Sequence, residues 1–189
     1  DAEKTYRYIA SQGVQHRLLL TSERWKDWVS QADIPSDLPG AFKTALQRSL
    51  LVMAAHIDQR GSIMASLDSS LRNHPQNDTY NFCWGRDTVY TLWPMVRLGY
   101  VQETLNYFDF AKRNLNKKGY LEHKYRADGS LGSTWLPYQH PDGSIHAPFQ
   151  ADETASTLFL AGQYFRYTAD TVFLDESYEG LIKPMADFL

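Results

Sequence analysis

Apolar residues recur at helical spacing along most of the chain. After Pro39 an apolar residue returns every three or four positions, which predicts a helix to about residue 58: Phe42, Leu46, Leu50, Met53 and Ile57. The same period predicts helices over about 87–98, 101–116, 152–167 and 177–189. The helix over 152–167 carries small or apolar residues around most of its circumference, so we expect it to be buried on most sides.

Two stretches lack this pattern. Residues 1–20 have no strong period and are interpreted as an extended lead-in or linker from a preceding region, with 21–189 forming one domain. Ser22 is expected to cap a short helix that carries Trp25 and Trp28. The connection over 117–150 is long for a compact domain, which favours a functional loop. It contains two turn signals, Asp128-Gly129-Ser130 and Asp142-Gly143-Ser144. The stretch YLEHKY before the first turn is interpreted as one arm of a small hairpin.

A short internal repeat relates two of the predicted helices. The pattern Asp87-Thr88 with Thr91-Leu92-Trp93 returns 66 residues later as Glu153-Thr154 with Thr157-Leu158-Phe159. Each copy is an acidic helix start followed by that helix and then a second one. This order is typical of stacked helical hairpins, and alternating inner and outer helices are what an α/α toroid requires. The sequence therefore predicts an all-α fold.

The composition excludes several classes of function. Hydrophobic residues make up 43% and charged residues 22% of the 189 positions, as in ordinary globular proteins. The formal charge of −3 offers no general attraction to nucleic acid, and no apolar run reaches membrane-spanning length. The single cysteine, Cys83, excludes an intrachain disulfide. No signal peptide is visible and the chain begins with Asp, so processing or truncation is expected, and the cytoplasm is favoured without being established.

The candidate chemistry begins at the start of the helix over 87–98. Tyr80, Phe82 and Trp84 lead into Arg86 and Asp87, which gathers aromatic rings, a guanidinium and a carboxylate at one helix end. Rings that contact C–H faces beside groups that bind hydroxyls suit a sugar. The alternative is a helix cap with an ordinary ion pair beneath a buried tryptophan.

A second candidate group opens the helix over 152–167. Asp152 and Glu153 follow Gln150, and this pair suits either acid–base chemistry or the binding of a substrate. The alternative is that the two carboxylates only complement the helix N-terminus. The histidines, His140 and His146 among them, show no metal-ligand spacing, so neither a metal nor a cofactor is predicted.

These segments together resemble a known family. YNFCWGRDTVYTLWPMVRLGY resembles the Arg-Asp segment of glucoamylase-type, family-15 glycoside hydrolases. GYLEHKYRADGSLGSTWLPY and APFQADETASTLFLAGQYF resemble the next region of the prokaryotic branch. The resemblance covers residues from about 40 to 189.

The resemblance implies a fold, a reaction and a set of site residues. The fold is an (α/α)6 barrel, incomplete here, with long active-site loops at the mouths of the inner helices. The reaction is release of glucose from the non-reducing end of α-glucans, with inversion. Arg86 and Asp87 match the pair that holds the terminal glucose, and Tyr80 and Trp84 match aromatics around it. Neighbouring pocket positions are Trp135, Gln150, Asp152 and Glu153.

The chain departs from the family pattern at its catalytic groups. The general acid is expected in a Trp-Glu-Glu segment and the base near the end of the barrel, and neither motif occurs here. The chain is therefore interpreted as the first part of a longer catalytic domain, inactive alone, with Glu153 as a weaker candidate acid. Apolar side chains near its end are expected to be uncovered and to favour self-association: Leu181, Ile182, Met185 and Phe188.

Three rival interpretations remain. The first is a trehalase or a dextran-type glucosidase on the same scaffold, which would act on a different α-glucoside. The second is a non-catalytic sugar-binding protein, and the third is a structural helical repeat that carries the motifs by chance.

Overall fold

The computed structural model describes residues 2–67, 80–132 and 150–189, together with the backbone of 138–139 and 145–146. The chain divides into two compact units, Asp1–Val52 and Met53–Leu189. In the described part of the chain, none of the helices combines the length and the hydropathy that crossing a bilayer requires.

The first unit is helical, so the extended lead-in predicted for residues 1–20 is wrong. Helix α1 spans Ala2–Gln12 and α2 spans Val14–Ser30, and Gly13 separates them at a φ of 76°. Ser22 lies inside α2, so the predicted cap there is also wrong. Both helices bury no residue. Local contacts such as the Glu3–Arg7 ion pair, one turn apart, support α1 instead.

Helix α3 spans Gly40–Ala55, as the apolar stripe after Pro39 predicted. The second unit then contains α4 (Gly85–Arg97), α5 (Val101–Asn114) and α6 (Ala151–Thr168). It ends with α7 (Thr171–Ser177), a π-helical turn (Tyr178–Ile182) and α8 (Lys183–Phe188). The last helical segment starts six residues earlier than predicted because the Asp170 side chain accepts a hydrogen bond from the Phe173 N–H and caps α7.

Helices α4 and α6 run side by side in the same direction. Arg86 contacts Asp152 at their N-terminal ends. The rings of Trp93 and Phe159, each eight residues after the first residue of its helix, have centroids 5.2 Å apart, and Arg97 lies over the ring of Tyr167 farther on. Helix α5 returns between them. The described residues therefore form helical hairpins around a parallel pair, and the predicted all-α class is confirmed.

The core of the second unit lies between these helices. Leu92 and Met95 of α4 and Leu160 of α6 are fully buried. Phe108 of α5 stacks on Phe173 of α7 with ring centroids 4.7 Å apart. The prediction that α6 is buried on most sides is wrong: only one face is buried and Phe159 is 45% exposed. In the middle of α6 the exposed face carries Ala155, Phe159 and Gly162, so the sequence shows no polar stripe there to mark exposure.

The expectation that the last apolar residues are uncovered is also wrong. Leu181 and Met185 are fully buried, and the ring of Phe188 lies 4.9 Å from that of Tyr120. The π-helical turn and α8 pack against α5 and α6 respectively, which covers these side chains within the chain itself. Self-association through them is accordingly unsupported.

Short extended segments lie beside the start of α4. The N–H of Ala65 donates to the carbonyl of Phe82, and Cys83 pairs with Tyr125 through both backbone groups. The predicted turn at Asp128-Gly129-Ser130 is present, because the Arg126 N–H donates to the Ser130 carbonyl at 2.8 Å. Strands β1 (Tyr138–Gln139) and β2 (Ile145–His146) form an antiparallel ladder on either side of the second predicted turn, which lies outside the described residues.

Candidate active site

The site is set by how closely the first turns of α4 and α6 approach one another. A Cβ on Gly85 would lie 2.6 Å from the backbone oxygen of Glu153 and 3.1 Å from Oγ1 of Thr157. Only glycine fits that approach, because 2.6 Å is well inside van der Waals contact. The contact brings the next residue of α4, Arg86, against the first turn of α6.

Arg86 is the centre of the charged cluster. Its Nη1 lies 2.6 Å from Oδ2 of Asp152 and donates to Oε1 of Gln150 at 3.3 Å. Its Nη2 lies 3.6 Å from Oδ2 of Asp87, and Nη1 lies 3.3 Å from Oε1 of Glu153. The hydrogen bond that Arg86 donates to Asp152 is the main reason that the pKa of Arg86 is raised above its usual range. The side chain stays 37% exposed, so part of the guanidinium faces solvent.

Glu153 differs from the other two carboxylates because it is fully buried. Its Oε2 accepts a hydrogen bond from the backbone N–H of Arg86 at 3.0 Å. Burial raises its pKa to about 7, and the nearby charges of Asp152 and Asp87 add to that rise, while Arg86 opposes it. One guanidinium faces three carboxyl groups, so keeping a proton on the buried one reduces their mutual repulsion.

An aromatic cluster adjoins this charged group. Trp84 is 3% exposed, and the rings of Tyr80 and Phe82 each lie 5.9 Å from it. Its indole N–H donates to Nε2 of His123 at 3.2 Å, and Nζ of Lys124 lies 4.4 Å from the Phe82 ring centre. Tyr80 is the ring that faces outward, at 53% exposed, and Trp84 supports it from beneath.

The fold brings together most of the residues that the sequence singled out. Arg86, Asp87, Gln150, Asp152 and Glu153 form one contiguous cluster, next to the Tyr80–Trp84 ring pair. Trp84 and Glu153 are buried, so they support the cluster and offer almost no surface to a ligand in this arrangement. Trp135, His140 and the side chain of His146 lie outside the described residues. The described side chains contain no group of three His, Cys, Asp or Glu that could hold a metal ion.

Comparison with known proteins now assigns the chain. Residues 40–189, most of the sequence, match Glycosyl hydrolases family 15. The chain belongs to this family. It is also 31% identical over 113 residues to a protein named trehalase from Mycolicibacterium smegmatis, covering 58% of this chain and 16% of that protein. A trehalase from Mycobacterium tuberculosis is 27% identical over 135 residues, covering 67% of this chain and 19% of that protein. This family-15 chain therefore spans less than a fifth of the length of these curated relatives.

Sequence reasoning missed three features of the family-15 cluster. Gly85 was not singled out, although it precedes the Arg-Asp pair, because its role depends on a helix 66 residues away. His123 and Lys124 were interpreted only as part of a hairpin arm. A histidine next to a lysine in an otherwise apolar and aromatic stretch was the available signal. Both side chains are buried against Trp84.

Cys83 is a buried residue of the core. Burial raises the pKa of its thiol to about 11, so it remains a thiol at neutral pH and is a poor nucleophile. It lies 3.5 Å from Oγ1 of Thr88, at the base of the aromatic cluster.

Proposed function

We propose that this family-15 chain supplies the terminal-glucose site of an exo-acting α-glucosidase that releases glucose from the non-reducing end of α-glucans with inversion. The observation that carries the proposal is the partly exposed guanidinium of Arg86, held between Asp87 and Asp152 at the mouth of a parallel helix pair. The groups around it have the chemistry of a polyol site.

A terminal glucose offers adjacent hydroxyls that both donate and accept hydrogen bonds. The guanidinium of Arg86 only donates and a carboxylate only accepts, so Arg86, Asp87 and Asp152 together suit neighbouring hydroxyls. The exposed ring of Tyr80 supplies an apolar surface for the C–H face of the sugar. Trp84 fixes that ring from below, which makes the site rigid before a ligand arrives.

The proposed reaction needs two further carboxyl groups. Inverting hydrolysis uses a general acid and a general base about 6.5–9.5 Å apart, with a water between the base and the sugar. Glu153 is fully buried behind Arg86, which argues against its serving as the acid. We therefore place the acid and base outside residues 1–189, in a longer protein of the kind represented by the two trehalases.

Trehalose is the second candidate substrate, because both relatives described above are named trehalase. α-Glucans and trehalose both present an α-linked terminal glucose to the site around Arg86. They differ in the group on the leaving-group side of the scissile bond. A dextran-type linkage or non-catalytic sugar binding would use the same residues.

The deciding experiment is hydrolysis by the full-length protein that contains this chain. Maltotriose, isomaltose and trehalose are supplied in parallel, and the anomer released is followed by proton NMR. We expect the release of β-glucose from maltotriose. Hydrolysis of trehalose in place of maltotriose would favour the second candidate. Arg86→Ala serves as the site control and the isolated 189-residue chain as the inactive one. Retention of configuration, or activity that survives Arg86→Ala in a folded protein, would overturn the proposal.

A further inference from the structure

The geometry points to Glu153 as a positioning residue that fixes both the backbone and the guanidinium of Arg86, so that it acts on the sugar through Arg86 and never touches it. This inference deepens the proposed function and rests on it. It assigns to Glu153 a role different from substrate binding and from acid catalysis.

The first half of the hold acts on the backbone. Oε2 of Glu153 accepts from the Arg86 N–H at 3.0 Å. This N–H lies in the first turn of α4, where helical amides have no partner within the helix. A buried carboxyl oxygen from α6 therefore fixes the start of α4 and, with it, the direction in which the Arg86 side chain leaves the helix.

The second half acts on the side chain. Oε1 of Glu153 lies 3.3 Å from Nη1 of Arg86, and this same nitrogen contacts Oδ2 of Asp152 at 2.6 Å. Nη1 therefore donates a hydrogen bond to Asp152 and forms an ion-pair contact, without a hydrogen bond, with the buried Oε1 of Glu153. The other nitrogen, Nη2, lies 3.6 Å from Asp87 on the exposed side. The arrangement leaves the outer edge of the guanidinium available to hydroxyls.

Burial separates this role from direct binding. The Glu153 side chain is fully buried, and the close approach at Gly85 closes the space above its backbone. A sugar that contacts Arg86 from solvent therefore meets the guanidinium with Glu153 behind it. Misplacing a binding group by about 1 Å is enough to lose about 100-fold in rate, so a support of this kind matters.

Glu153→Gln separates the two halves of the hold. The amide oxygen of glutamine still accepts from the Arg86 N–H, while its NH₂ group faces Nη1, donor against donor. The start of α4 is preserved and the guanidinium loses its inner partner. Tyr107→Phe is the matched control: it removes a buried hydroxyl that bonds Oγ1 of Thr157, one turn further along α6, and has no contact with Arg86.

The test is a double-mutant cycle on the full-length protein, with kcat/KM measured on whichever α-glucoside it hydrolyses. We expect Glu153→Gln to lower kcat/KM by about 10- to 100-fold at pH 8, where the Glu153 carboxyl is ionised because its pKa is about 7. In the Arg86→Ala background the same substitution should change kcat/KM by less than about 2-fold, because the group it positions is gone. Tyr107→Phe should lower the melting temperature and leave kcat/KM unchanged in both backgrounds.

The outcomes separate this inference from the proposed function. If Arg86→Ala lowers kcat/KM strongly and Glu153→Gln does not, the positioning role is wrong and the sugar site stands. Equal losses from Glu153→Gln in both backgrounds would mean that Glu153 acts independently of Arg86, which also overturns the inference. If Arg86→Ala itself has no effect, the proposed site fails first, and the positioning role fails with it.

Discussion

The starts of α4 and α6 share one sequence pattern but differ in what they do with it. The 66-residue offset pairs Arg86 with Asp152 and Asp87 with Glu153. Arg86 and Asp152 meet directly, yet Asp87 is 43% exposed while Glu153 is fully buried. The reason is the packing at Gly85, which places the first turn of α4 over Glu153 and leaves Asp87 facing outward.

This asymmetry divides the work between two similar helix starts. Helix α4 presents Arg86 and Asp87 to solvent, and α6 presents Asp152 while its buried Glu153 contacts Arg86 from the inner side. Neither start uses a side-chain cap, since Trp84 and Gln150 occupy the N-cap positions without capping hydrogen bonds. Helix α7, by contrast, is capped by Asp170. The backbone N–H of Arg86 instead donates to Glu153 of α6. The stability of the start of α4 therefore depends on how closely α4 and α6 pack.

The largest expected effect comes from removing the presented charge. Arg86→Ala should lower kcat/KM of the full-length protein by about 10²–10³-fold, because one or two charged hydrogen bonds are lost and Asp87 and Asp152 are left without a counter-ion. Steady-state kinetics with a melting curve checks it. If the two helix starts were only a capped ion pair, the melting temperature would fall and the kinetics of the folded protein would stay near normal.

The buried carboxyl of Glu153 should make the stability of the protein depend on pH. In the unfolded chain the pKa of the Glu153 carboxyl is near 4.5, and in the folded protein burial raises this pKa to about 7. Between these values the folded state binds the extra proton, so the free energy of unfolding falls as the pH rises and levels off above about 7. The contribution is roughly 3 kcal/mol.

The measurement is urea unfolding from pH 4 to 8 for the wild type, Glu153→Gln and Tyr107→Phe. The free energy of unfolding of the wild type minus that of Glu153→Gln should decrease as the pH rises to about 7. The corresponding difference between the wild type and Tyr107→Phe should not change with pH. A flat difference for Glu153→Gln would mean that the buried carboxyl ionises as it does in the unfolded chain.

Adding a side-chain atom between the two helix starts should lower the free energy of unfolding by somewhat less than this. Gly85→Ala puts a Cβ 2.6 Å from the backbone oxygen of Glu153, so the helices must separate, at about 2 kcal/mol. Gly162→Ala is the control, because nothing lies within 4 Å of its Cβ, and there we expect a gain of about 0.5–1 kcal/mol. Equal effects of the two substitutions in chemical denaturation would remove Gly85 from the explanation of the asymmetry.

The smallest effect is expected at the capped helix. Asp170→Ala removes the acceptor for the Phe173 N–H and for the Tyr164 hydroxyl, and should lower the melting temperature by about 3–5 °C. These hydrogen bonds hold the pKa of Asp170 below its usual range, so the loss should shrink as the pH falls through that lowered pKa. Calorimetry at pH 7 and at acid pH tests this, and an unchanged kcat/KM would separate the cap from the uncapped helix starts.

Several features of the chain followed from local chemistry that the sequence records directly. The apolar stripes predicted α3 to α6 with ends within about three residues, because burial of one helix face dictates that period. The turn at Gly129 followed from a residue type that tolerates a φ of 87°. The motifs around Arg86 and Asp152 identified the family, and the 66-residue repeat indicated the helical hairpins.

Tertiary structure decided which partner each of these groups meets. The sequence left Asp87 and Glu153 as equivalent acidic helix starts, and the fit of Gly85 against α6 made one exposed and the other buried. The sequence predicted that the last apolar side chains are uncovered. Packing of the π-helical turn and α8 against α5 and α6 instead buries Leu181 and Met185. Such contacts join residues many positions apart, and their energies depend on interhelical distances that no local period encodes. The candidate residues were therefore readable from the chain, while the division into presenting and supporting residues required the fold.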